Sequence, residues 1–127
     1  MRIWTHDQVQ LLFLAAKDLR EAQRDYLSGH TQEKGARVGM MSAHLDSTLQ
    51  NLMRVDTGTP YPNPEHAHHL VEACLAMRLA QHKHIAAGVF SSEAAKEAGV
   101  NVGLAADLMD RVIAEFKGAE EAPGPSL

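Results

Sequence analysis

Cysteine is nearly absent from this 127-residue sequence, with Cys74 its one occurrence. An intramolecular disulfide is thereby excluded, and a reducing compartment suits the chain. Aromatic residues make up 5% of the composition against 45% hydrophobic residues. The apolar material is therefore mostly Leu, Ala, Val and Met, which favours helices over strands. No apolar run approaches the ~18 residues of a membrane span. The opening Met1-Arg2-Ile3-Trp4-Thr5-His6-Asp7 lacks the apolar stretch of a signal peptide. A cytoplasmic location, or a place in a soluble assembly, is expected. Neither sign of charge dominates, since 12 Lys/Arg stand against 16 Asp/Glu for a formal net charge of −4. That balance argues against an overall electrostatic grip on nucleic acid or anionic lipid. The acidic excess lies entirely in residues 63–127. Gly-rich phosphate loops, a Ser-His-Asp order and a CxxC pair are all missing. No cofactor is implied, and no internal repeat is apparent.

What is present is helical punctuation. Thr5 and Gln8 fit a capping box, with Trp4 and Val9 placed for a hydrophobic staple. Val9, Leu12, Phe13, Ala16, Leu19, Gln23, Tyr26 and Leu27 then recur at helical spacing. Ser28-Gly29-His30 ends this helix, with Gly29 suited to a left-handed cap. A second helix is expected from Thr31 to about Arg54. Its Val38, Met41, Leu45, Thr48 and Leu52 follow the 3-4 spacing of a coiled-coil seam. The short loop between the two implies an antiparallel hairpin. Residues 55–64 hold three prolines and a glycine, which forbids regular structure and marks an intradomain crossover.

Asn63 and Pro64 open a third helix, expected over 64–87. It is apolar on most sides, through Leu70, Val71, Cys74, Leu75, Met77 and Leu79. Such a helix is buried on several sides or shared with another subunit. Ser91-Ser92-Glu93 starts a short helix that Gly99 stops. A last helix then runs from Asn101 or Gly103 to Lys117, with Ala105, Leu108, Val112 and Phe116 inward and Gly118 at its end. The expected fold is thus an all-α bundle: a long N-terminal αα-hairpin, a proline-rich crossover, a central apolar helix and a C-terminal helical corner. Residues 1–118 form the domain and 119–127 a flexible tail.

Three candidate chemistries follow. First, Glu65, His68, His69 and Glu72 have ligand spacing for a metal at the start of the third helix, and Glu65-x-x-His68 matches the carboxylate–histidine unit of di-iron bundles. No second Glu-x-x-His completes such a site, and helical geometry turns His68 away from His66. Second, residues 91–116 fit a helix-turn-helix, with Asn101 and Arg111 as DNA-contacting groups. Asp107, Asp110 and Glu115 surround the lone Arg111, the wrong sign beside phosphate. Third, the mixed charges Lys17, Asp18, Arg20, Glu21, Arg24 and Asp25 lack the paired carboxylates of a Mg²⁺ site and describe a solvated face.

The expected function is therefore a non-enzymatic interaction or assembly protein, homo-oligomeric or bound to a protein partner. Its interface would use Val38, Met41, Leu45 and Leu52 from the seam and Val71, Leu75 and Leu79 from the apolar helix. Short, motif-free helical chains of this kind are frequent among bacteriophage and mobile-element proteins.

Overall fold

The computed structural model describes residues 3–54, 57–90 and 92–121. They form four helices: α1 (His6–Ser28), α2 (Gln32–Asn51), α3 (Pro64–Phe90) and α4 (Ser92–Glu121). The capping box forms as the sequence requires: Thr5 accepts from the Gln8 amide at 3.2 Å, and Gln8 accepts from the Thr5 amide at 3.0 Å. Thr31 caps α2 through the Lys34 amide, and Asn63 caps α3 through the His66 amide. The crossover returns along the bundle end. It pairs with the N-terminus through His6 to Thr59 at 2.7 Å and Tyr61 to Trp4 at 2.8 Å.

The helices run up-down-up-down, each antiparallel to its neighbours around the bundle. Lys34 reaches Asp25 across α1 and α2, Arg78 reaches Asp46 across α3 and α2, and Arg20 reaches Asp110 across α1 and α4. His66 stacks on Phe116 across α3 and α4. Helices α1 and α3 also meet on the diagonal. Their core positions Ala15, Ala16, Ala73 and Cys74 have no exposed surface, and such small side chains let backbones approach closely.

Superposed on this bundle is a repeat that inspection of the sequence did not reveal. Adding 58 positions carries α1 onto α3: the caps Thr5 and Asn63, the acids Asp7 and Glu65, Leu12 and Leu70, Ala15 and Ala73, Arg20 and Arg78, Ala22 and Ala80, Gln23 and Gln81. Adding 64 carries α2 onto α4: Glu33 and Glu97, Gly35 and Gly99, Val38 and Val102, Gly39 and Gly103, Asp46 and Asp110. The structure repeats with the sequence. Arg20 donates from Nε and Nη2 to both oxygens of Asp110, at 2.8 and 3.0 Å, and from Nη1 to Gln23. Arg78 donates in the same way to Asp46, at 2.7 and 2.8 Å, and to Gln81. Tyr26 lies over Gly35 as His84 lies over Gly99, with Cβ positions 3.3 and 3.6 Å from the ring carbons. A pseudo-two-fold axis thus exchanges hairpin α1–α2 with hairpin α3–α4.

Several expectations are corrected. The C-terminal corner does not form, because α4 runs unbroken through Gly99 and Gly103, neither of which takes positive φ. The two glycines weaken helix propensity, but packing of α4 against α3 outweighs a cost of ~1 kcal/mol each. Gly118 does not end α4 either. Residues 119–121 of the expected tail continue the helix, and 122–127 lie outside the described residues. Gly29 caps α1 at φ −174°, an extended conformation open to any residue, not a left-handed one. α2 ends at Asn51 rather than near Arg54. Leu108, expected inside, is exposed, while Met109 fills the core.

Candidate interaction surface

Of the seven expected interface residues, the bundle consumes five. Leu45 and Leu52 are core residues, and Val38, Met41 and Val71 pack half-buried against that core. The seam on α2 therefore faces inward, where its 3-4 spacing matches the neighbouring helices of the same chain. Leu75 and Leu79 alone remain outside, 53% and 56% exposed.

They do not stand alone. Val100, Leu104 and Leu108 on α4 are also exposed. Helical periodicity places Leu75 and Leu79 one turn apart on the outer side of α3, and Val100, Leu104 and Leu108 on successive turns of α4. Because α3 and α4 pack side by side, these five residues share the outer face of one hairpin. Sequence reading missed the α4 members because the expected corner would have split them between two helices.

The repeat supplies an internal control for this face. At the matching positions of α1 and α2 the chain carries Lys17 and Glu21, then Ala36, Met40 and His44. The same backbone architecture thus folds with charged or polar groups at three of the five positions. Burial within the bundle does not require the leucines of α3 and α4.

Around the apolar patch lie the groups considered for other chemistry. His68 Nε2 sits 2.9 Å from Glu72 Oε1 on the surface of α3, an ordinary i,i+4 pair. His69, Glu72, Arg111 and Glu115 line a shallow cleft of about 250 Å³ between α3 and α4. Glu65 is exposed on the first turn of α3. Among the described residues no group of three or more His, Cys, Asp or Glu side chains is placed to hold a metal ion. Asn101 and Arg111 are exposed on α4, but the helix-turn-helix meant to present them is absent because α4 has no turn. Among the described residues no helix is long and apolar enough to cross a membrane.

Two further groups have shifted acidity. His66 is packed on Phe116 with ring centroids 3.9 Å apart, and its Nε2 lies 3.6 Å from Glu115. Burial holds its pKa below the ordinary value, against the pull of Glu115 and with a smaller contribution from His69. The Cys74 thiol is pushed up to about 12 by burial, which makes it inert at neutral pH.

No family model matches the chain, and neither a curated protein nor a solved structure matches it. The surface itself has to carry the functional reading.

Proposed function

We propose that this chain is a non-catalytic helical interaction or assembly protein that docks through the outer face of the α3–α4 hairpin. One observation carries the reading: Leu75, Leu79, Val100, Leu104 and Leu108 are exposed together on one hairpin, three of them where the other hairpin carries Lys17, Glu21 and His44. Exposed apolar clusters of this kind mark interaction sites, whereas singly scattered apolar side chains do not. Other exposed apolar residues, such as Leu11 and Leu14, belong to the α1 face that Lys17, Asp18 and Glu21 interrupt.

Affinity capture with wild type and with Leu79→Asp/Leu104→Asp, compared side by side, tests the reading. Both positions are more than half exposed, so the variant keeps the fold, as circular dichroism checks. A protein retained by the wild type and lost by the variant, this chain itself included, supports the proposal. Identical retention by both forms would refute it.

A further inference from the structure

We infer that the occupant of this face is a second copy of the chain, docked about a two-fold axis passing beside Leu104 and between Leu75 and Leu79. The inference rests on the interaction reading above and names its partner. Its basis is the self-complementarity of charge and shape on both helices.

On α4, Glu97, Val100, Leu104, Leu108 and Arg111 follow a 3-4-4-3 spacing, and all five are exposed. At 100° per residue they form one narrow stripe. If a copy lies antiparallel across this stripe with Leu104 at the centre, Leu104 meets its own counterpart. Val100 then meets the copy's Leu108, and Glu97 meets the copy's Arg111. Symmetry makes each of these off-axis contacts twice, as an isologous interface requires.

The second helix obeys the same axis. On α3, Leu75 falls opposite the copy's Leu79 when the centre is Met77, and Glu72 falls opposite the copy's His82, one residue short of its Lys83. Glu72 and Lys83 are both exposed. The two centres lie at one height. His66 is level with Phe116, and His84 with Gly99. Counting inward along both helices puts Met77 level with Ala105 or Ala106, within ~3 Å of Leu104 along the helix. A single two-fold therefore sets leucine against leucine on α3 and acid against base on α4, with Glu72 within one residue of the copy's Lys83 on α3. At the crossing angle of about 20° usual for such helices, the outlying Glu93 and Glu115 swing apart and stay in solvent.

The other hairpin lacks this property. The counterparts of Glu97 and Arg111 are Glu33 and Ser47, and those of Leu75 and Leu79 are Lys17 and Glu21. An equivalent axis there would join no acid to a base on α2, and on α1 it would set Lys17 against the copy's Glu21 where α3 sets leucine against leucine. Burying that ion pair carries a desolvation cost that the leucines do not.

Light scattering after gel filtration, over a dilution series, reads the result. Wild type is expected at twice 13.9 kDa. Glu97→Arg and Arg111→Glu each weaken the dimer by about tenfold or more, because each places like charges face to face twice. The double variant Glu97→Arg/Arg111→Glu restores it. Leu104→Cys forms a disulfide-linked dimer on mild oxidation, since Cys74 is buried and does not compete. Met40→Cys, the matching position on the other hairpin, does not. A dimer indifferent to the charge swaps and to Leu104→Cys would overturn this axis while leaving the interaction reading intact. A mass of 13.9 kDa throughout would overturn the second copy as occupant, and the capture experiment above would then decide separately whether the face binds anything.

Discussion

Arg20 and Arg78 each bridge two helices through a forked pair of hydrogen bonds to an aspartate, and each is braced by a glutamine one turn on. Their side chains are 9% and 13% exposed, so the aspartates are held by poorly hydrated guanidinium groups. Those hydrogen bonds draw the pKa of Asp110 and of Asp46 below the usual carboxylate range. Hydrogen bonds to charged groups contribute ~1.5–3 kcal/mol each, with a discount here because the aspartates are more than a third exposed. Arg20→Met and Arg78→Met should each lower stability by about 1–2 kcal/mol in urea unfolding, with the smaller loss at Arg20, because Arg24 still reaches Asp110 at 3.1 Å. His66 acts at a different pH. Its folded pKa is depressed, so the unfolded chain binds protons more readily. Stability from this residue is complete above about pH 6.5 and is lost as pH falls from there through the lower folded value. His66→Gln should flatten the stability curve between pH 7 and the carboxylate range. An unchanged slope would assign the dependence elsewhere. Cys74 should resist a thiol reagent in the native state and react at once in denaturant, because only unfolding exposes its sulfur.

At the scale of the helix, glycine is the informative residue. Gly39 and Gly103 occupy matching positions on α2 and α4, and a Cβ at either meets nothing within 4 Å. Gly39→Ala and Gly103→Ala should therefore stabilise the protein by ~0.5–1 kcal/mol each. Gly35→Ala should gain less or lose, because Tyr26 lies 3.3 Å from the new methyl carbon. Thermal unfolding of the three variants gives the order directly. The same residues explain what the sequence did and did not disclose. Side-chain capping is a local signal, so Thr5, Thr31 and Asn63 placed three helix starts correctly. A glycine within a helix sends the same signal as a glycine after one. Gly99 and Gly103 therefore suggested a corner, and tertiary packing on α3 decided otherwise. Leu45 and Leu52 announced a seam, but a seam pattern is identical whether its partner is the same chain or another. The outer face became legible only when α3 and α4 were known to be adjacent. The repeat stayed hidden because its two halves need different offsets, six positions apart, around unequal helix connections.

At the scale of the molecule, two hairpins are bound together by one set of interactions used twice. The core is shared evenly between them: Leu12, Ala15, Ala16 and Leu19 face Leu70, Ala73, Cys74 and Met77 in matching order. Their outer surfaces differ: Lys17, Glu21 and His44 on one hairpin stand where Leu75, Leu79 and Leu108 stand on the other. The α3–α4 face is the one whose substitution should alter association and leave unfolding nearly unchanged. Leu104→Asp should accordingly shift the thermal midpoint little at concentrations where the chain is a monomer, since surface changes usually stay within ±0.5 kcal/mol. A large shift would place Leu104 in the fold rather than on a working surface.

The crossover between α2 and α3 has a consequence of its own. It is what lets α1 find α4, and α3 find α2, within a single molecule. Each hairpin offers its mate a docking site that any other molecule's hairpin could fill equally well. Cutting residues from the stretch 55–59 would deny the two hairpins enough reach to fold back on each other. Two chains would then trade halves, completing each bundle with a hairpin from the other, and the length of one connecting segment would have chosen between a closed molecule and a domain-swapped pair.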